Sequence, residues 1–220
     1  MDVALPSGET VPSHDFFIRA RARLGLDVPP ALNDDTVEGT RGDLDLDPST
    51  WERAGVKATR PAAVLIPVID RPEPTVLLTL RTELPSHPGQ IAFPGGKIDP
   101  GDATPAAAAL REAREEIGLA RELIEPIGYL DLYLTFSGYR ILPIVARVRP
   151  DYKLMLSAAE VAEAFEVPLA FLMDVQNHAL HSRDWKGVTR RYYAIPFGQR
   201  YIWGVTAGIL RNLYERIYES

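Results

Sequence analysis

The sequence predicts an α/β fold in which helices pack on a mixed β-sheet. Three observations carry that expectation: apolar β-rich runs bounded by turn residues, one strongly helical segment between them, and an amphipathic helix closing the chain. The 220 residues suffice for one domain with a substantial core plus an extension, and 46% hydrophobic against 25% charged residues is ordinary for a globular chain. A net charge of −6 provides no basic stripe for a phosphate backbone, so a long nucleic-acid partner is not expected. The chain has no cysteine, which excludes disulfides and thiol catalysis and fits a cytoplasmic protein. No signal peptide and no apolar run of membrane-spanning length is read, so no membrane partner is expected. A homodimer stays open.

Residues 1–59 read as an extension and 60–220 as the main domain. An amphipathic helix is expected from Ser13 to Leu24, ended by Pro29-Pro30, followed by an acidic arm or loop from Asn33 to Pro48. Ala62 to Ile69 and Thr75 to Arg81 read as strands joined by a turn rich in Asp and Pro, and Gln90 to Phe93 as a short strand. The central helix should start after Thr104 as N-cap with Pro105 at its first position, and end at Gly118. Strands follow at Ile124 to Thr135 and Arg140 to Arg149, then a short helix at Pro168 to Met173. A hairpin of Arg190 to Ile195 with Gln199 to Tyr201, and a last helix from Val205 to Tyr218, complete the chain.

The chemistry centres on Gly95-Gly96-Lys97-Ile98-Asp99-Pro100-Gly101-Asp102 and, after it, Arg111-Glu112-Ala113-Arg114-Glu115-Glu116-Ile117-Gly118-Leu119. Glu112 and Glu116 stand four apart on one helix face, with Glu115 about 60° round from them. Like charges at this spacing weaken a helix unless a cation resolves them. Mg²⁺, a hard ion that takes oxygen ligands, suits such carboxylates and points to metal-assisted chemistry on a phosphate compound. Arg111 can reach Glu115 across one turn and orient a carboxylate through its planar guanidinium. Asp102 reads as a loop or turn support.

The segment resembles the Nudix box: Gly, five residues, Glu, seven residues, then Arg-Glu-apolar-any-Glu-Glu-any-Gly-apolar. Gly96 opens it; Arg111, Glu112, Glu115, Glu116, Gly118 and Leu119 close it. It departs in having Asp102 for the first Glu and eight residues before Arg111, as in the branch that cleaves coenzyme A. The resemblance implies an α/β/α sandwich with a mixed sheet and a Mg²⁺- or Mn²⁺-dependent hydrolase of a small diphosphate substrate. It makes Gly96, through its carbonyl, and Glu112, Glu115 and Glu116 the candidate metal ligands. Glu115, Glu116 and Arg111 are the candidate catalytic group.

Nudix enzymes often add a carboxylate from beyond the box. Glu160, Glu163 and Glu166 are spaced for a helical turn; Glu160 and Glu163 are the candidates for the water-activating group, and Glu166 is expected to matter less. Upstream, Leu77-Leu78-Thr79-Leu80-Arg81-Thr82 and Gly89-Gln90-Ile91-Ala92-Phe93-Pro94-Gly95-Gly96 resemble the motif marking coenzyme A pyrophosphatases. Arg81 is then a candidate substrate contact. Lys97 is another, alongside the plain reading of a solvated lysine. The second Arg of that motif is absent, with Pro85-Ser86-His87 in its place, which keeps another nucleoside diphosphate derivative such as ADP-ribose as the alternative substrate.

Overall fold

A computed structural model describes residues 13–34, 41–42, 45–46, 59–82, 89–185 and 188–219. Helix α1 (Ser13–Arg23) opens them, followed by a short turn of 3-10 helix and β1 (Arg41–Gly42). Next come β2 (Arg60–Ile69), β3 (Thr75–Arg81), β4 (Ile91–Ala92), β5 (Gly95–Lys97) and helix α2 (Pro105–Ile117). Strands β6 (Ile124–Tyr129), β7 (Tyr133–Leu134), β8 (Tyr139–Val148) and β9 (Val161–Pro168) lead to α3 (Leu169–Met173). The chain ends in β10 (Ala179–Trp185), β11 (Val188–Phe197), β12 (Arg200–Trp203) and α4 (Val205–Tyr214), which runs on into a wide turn at Glu215–Glu219.

Nine of these strands form one mixed sheet. β2 pairs parallel with β8 along its whole length and antiparallel with β3 and β5, while β9 covers the outer side of β3. Both faces are apolar, as expected of a sheet covered on both sides. On one face Ile66, Val68, Val76, Leu78 and Val145 pack with Phe16 and Phe17 of α1, Leu172 of α3, and Ile209 and Leu213 of α4. On the other, Leu65, Leu77, Leu142 and Ile144 pack with Ala109, Ala113 and Ile117 of α2. The layers are those of an α/β/α sandwich. Strands β10, β11 and β12 form a second, antiparallel sheet whose Ile195 and Ile202 join the α4 side of the core.

The first described residues belong to these same cores. Phe16, Phe17, Ala20 and Leu24 enter one cluster, and Ala31 and Leu32 the other. Buried Arg140 donates its Nε–H to the Ala31 carbonyl at 2.7 Å and an Nη2–H to the Asp34 carbonyl at 3.0 Å. Much of the acidic arm expected at Asn33 to Pro48 lies outside the described residues, as does Pro85-Ser86-His87.

Four expectations need correction. The stretch from Ile124 to Thr135 is two strands: Leu130 and Leu132 turn into opposite cores between β6 and β7. The late hairpin is a three-stranded sheet: β10, for which no strand was expected, pairs with β11. The last helix is α-helical only to Tyr214 and widens into a π-helical turn over Glu215–Glu219, with Ile217 still buried. The largest correction falls on Glu160 to Glu166. These residues form no helical turn; β9 pairs with β3, Leu78 opposite Phe165 and Leu80 opposite Glu163.

Candidate active site

The Gly turn and α2 build the centre of the site. Thr104 caps α2, its Oγ1 accepting the Ala107 N–H at 3.1 Å, and Gly118 ends it in the left-handed conformation at φ 68°. A cap of this kind contributes about 1 kcal/mol. β5 lies against β2 with Gly96 opposite Ala63 and Gly95 opposite Val64. Neither glycine can be replaced simply. A Cβ on Gly95 would stand 2.5 Å from the Ala63 carbonyl oxygen, at a φ of 151°. A Cβ on Gly96 would stand 2.6 Å from Cδ of Glu112, so the Glu112 carboxyl group occupies space that the missing side chain leaves.

Glu116 is buried beneath this turn. Its Oε2 accepts the Gly95 N–H at 3.1 Å and its Oε1 lies 3.7 Å from Nη1 of Arg81. Burial lifts the Glu116 carboxyl to about 7; the Gly95 N–H and Arg81 pull it down, and the charges of Glu112 and Glu160 push it up. Glu112 is also raised, by burial first and then by Glu115 and Glu160, against the stabilising effect of Arg111. Glu115 is exposed.

Arg111 ties the helix to the loop before it. Its Nε and Nη2 grip both oxygens of Asp102 at 3.1 and 3.0 Å, and Nη2 also donates to the Lys97 carbonyl at 3.1 Å. Nη1 is shared between Glu112 Oε1 at 2.9 Å and Glu115 Oε2 at 3.1 Å. Asp102 is held below the usual carboxylate range by its hydrogen bonds from Arg111, and it accepts the Asp99 N–H at 2.9 Å. The Lys97 side chain is exposed at the rim.

Glu160 sits in the turn just before β9. The segment after β8 docks on the end of α2, with the Met155 N–H on the Ile117 carbonyl at 2.9 Å and the Ser157 N–H on the Glu116 carbonyl at 2.8 Å. Glu160 then closes a turn on Ser157, and the Thr82 N–H donates to the Glu160 carbonyl at 3.0 Å. Glu163 is placed elsewhere. It shares the sheet face of Leu80 and Phe165, away from α2, and takes two hydrogen bonds from Arg200 at 2.9 and 2.6 Å. The alternation of β9 puts it on the sheet face opposite that of Ala164 and α2. Glu166 is bound by Arg71, Thr75 and Tyr152 at the far end of β3.

Two contributors escaped the sequence reading. The Gly95 N–H has no side-chain signal at all. Arg200, whose guanidinium also lies 3.6 Å over the Phe165 ring, follows the turn residues Gly198 and Gln199, but nothing in the chain before folding names its partner.

The donor set suits a hard divalent cation. It offers carboxylate oxygens and a backbone carbonyl, without sulfur or imidazole, and Glu112 already lies in the cradle at Gly96. Among the described residues no three acidic or imidazole side chains are yet drawn together closely enough to enclose a metal ion. The mutual repulsion of Glu112 and Glu116 beside this turn is what a divalent charge would relieve.

Comparison with known proteins points to one family. A family model described as the NUDIX domain matches residues 59–186. An uncharacterized Nudix hydrolase of Cronobacter sakazakii, NudL, is 41% identical over 170 residues, covering 73% of this chain and 84% of the relative. Its counterpart in Escherichia coli K12 is 41% identical over 159 residues, covering 72% and 83%. Among solved structures, a NUDIX hydrolase from Alicyclobacillus acidocaldarius aligns at 20% identity with a TM-score of 0.45, over 74% of this chain and 95% of the other.

Proposed function

The chain belongs to the Nudix family of hydrolases, and from that premise we propose that it splits the diphosphate of coenzyme A or its derivatives. The products are adenosine 3′,5′-bisphosphate and 4′-phosphopantetheine. Hydrolysis rests on one observation above all: the Glu112 carboxyl fills the space at Gly96 and Glu116 accepts the Gly95 N–H, so two box carboxylates converge on the Gly95-Gly96 turn. The substrate class rests on residues 77–82 and 89–96, which resemble the coenzyme A pyrophosphatase motif.

Glu112, Glu115, Glu116 and the Gly96 carbonyl are the groups that would hold Mg²⁺ or Mn²⁺. When bound, the ion neutralises phosphate charge and makes a bound water more acidic. The protein's own part is positional. The Gly95 N–H orients Glu116, and Arg111 locks α2 to the loop that carries Lys97. Lys97 meets a substrate phosphate from the rim. Glu160 or Glu115 accepts the proton of the attacking water, directly or through one more water. The water oxygen forms a new bond to one phosphorus as the bridging oxygen leaves in line with it. Glu163, held by Arg200 on the far face, has no part in this scheme.

A second reading is favoured by one specific feature. Pro85-Ser86-His87 stands where the coenzyme A motif has its second Arg, which weakens the substrate assignment and favours ADP-ribose or a similar nucleoside diphosphate derivative. A panel of coenzyme A, acyl-coenzyme A, ADP-ribose and NADH with Mg²⁺ or Mn²⁺ decides between the two. Coenzyme A should give the highest kcat/KM, with adenosine 3′,5′-bisphosphate identified by mass. A clear preference for ADP-ribose would replace the first reading with the second. No turnover of any of the four would remove both.

A further inference from the structure

Arg81 ends β3 at a break in the sheet. β3 and β9 pair residue by residue as far as Leu80 opposite Glu163; then Ala162 is passed over and Arg81 stands opposite Val161. An extra residue of this kind bends a strand and re-aims the side chains beside it. The backbone is fixed on both sides of the break: the Arg81 N–H donates to the Gln90 carbonyl at 3.0 Å, and the Thr82 N–H to the Glu160 carbonyl at 3.0 Å. The guanidinium is thereby delivered to one oxygen of Glu116, at 3.7 Å, while the other oxygen takes the Gly95 N–H. Arg111 is divided among Asp102, Glu112 and Glu115; among the described residues the ion-pair partner of Arg81 is Glu116.

We infer that Arg81 is the resident counter-ion of Glu116, a positioning residue set against this buried carboxylate by the break in β9, and that it lowers the affinity of the site for a divalent cation. The inference rests on the proposed metal-ligand role of Glu116. A guanidinium against the carboxylate competes in charge with any cation binding there. Removing it leaves Glu112, Glu116 and Glu160 less neutralised, so their pull on a divalent ion rises. An arginine serving only a substrate phosphate would leave metal binding in the absence of substrate unchanged.

The test is direct Mn²⁺ binding without substrate, read from the electron paramagnetic resonance signal of free Mn²⁺. Arg81→Ala and Arg81→Gln should bind Mn²⁺ about five- to tenfold more tightly than the wild type. Arg81→Lys, which keeps the charge, should stay near it. Arg114→Ala removes an exposed charge from the same helix and controls for charge at a distance; its effect should be much smaller. Unchanged or weaker Mn²⁺ binding in both neutral variants overturns the inference, and so does equal tightening by Arg114→Ala. Unchanged Mn²⁺ affinity with a raised KM would assign Arg81 to substrate phosphate instead. Failure of the metal reading itself is distinguishable, because the wild type would then bind no Mn²⁺, and this inference would fall with it.

Discussion

The glutamates of α2 and those around β9 form two triplets along the chain, Glu112, Glu115 and Glu116 against Glu160, Glu163 and Glu166, yet the fold provides for them differently. Glu163 has Arg200 to itself, and that pair of hydrogen bonds holds its carboxyl below the usual range. Burial would raise Glu166, but Thr75, Tyr152 and Arg71 outweigh it and the carboxyl is lowered. On α2 a single arginine is shared by Asp102, Glu112 and Glu115, and burial dominates at Glu112 and Glu116. Acidity alone therefore does not mark the site. What distinguishes α2 is a surplus of carboxylates over the cations the fold brings to them.

The contrast is open to breakage in order of expected effect. Glu116→Gln keeps the shape of a buried carboxylate and removes its charge, so kcat should fall on the order of 10²–10³-fold, the scale of one lost electrostatic contact in a transition state. The variant should still unfold cooperatively; near wild-type turnover at saturating Mg²⁺ would show that the wrong group has been chosen. Glu160→Gln should slow single-turnover chemistry by about 10²-fold with little change in substrate affinity. An unchanged rate would return Glu160 to the solvated rim and leave Glu115 as the proton acceptor.

Glu163→Gln should give nearly wild-type kcat and KM. Its ion pair with Arg200 is partly exposed, 44% and 30% for the two side chains, so unfolding in urea should show a loss below about 1 kcal/mol. A kinetic defect larger than the stability defect would merge the two regions that the sheet separates. The smallest effect concerns acid. The Glu166 carboxyl is lowered below its ordinary 4.5 in the folded state, so it contributes stability above that pH, and the contribution is lost as pH falls through the folded value. The stability gap between wild type and Glu166→Gln should narrow steadily below pH 4.5. A gap independent of pH would mean that Glu166 acts by packing alone.

The sequence was most readable where local chemistry and tertiary packing agree. Thr104, Pro105 and Gly118 bracket α2 through interactions within a few residues, and the nearly unbroken apolar run of β2 needs no distant partner to be seen. β9 was opaque for the opposite reason. Ala159 to Glu166 is rich in helix formers, and Val161, Ala164 and Phe165 fall at helical spacing. Pairing with β3 overrides that preference, and the skipped Ala162 then puts Val161 and Ala164 on one face and Phe165 on the other. β10, with His181, Ser182, Arg183 and Asp184 in its centre, has no apolar pattern because both its faces meet solvent there. In the site, side-chain types were legible and their partners were not: the Arg200 bridge joins residues 37 apart, and the Gly95 N–H belongs to the main chain.

The docking of Met155 and Ser157 on the end of α2 is also a main-chain affair. It uses two N–H groups and two carbonyls, while the Met155 and Leu156 side chains remain exposed. A joint of this sort is indifferent to side-chain identity. Drift at 155 and 156 can proceed without loosening the hold on the helix or shifting Glu160, so the rim of the cleft can be rewritten while its frame persists. Saturation mutagenesis should find both positions permissive to most residues, with proline at 155 the sharp exception because it removes a donor.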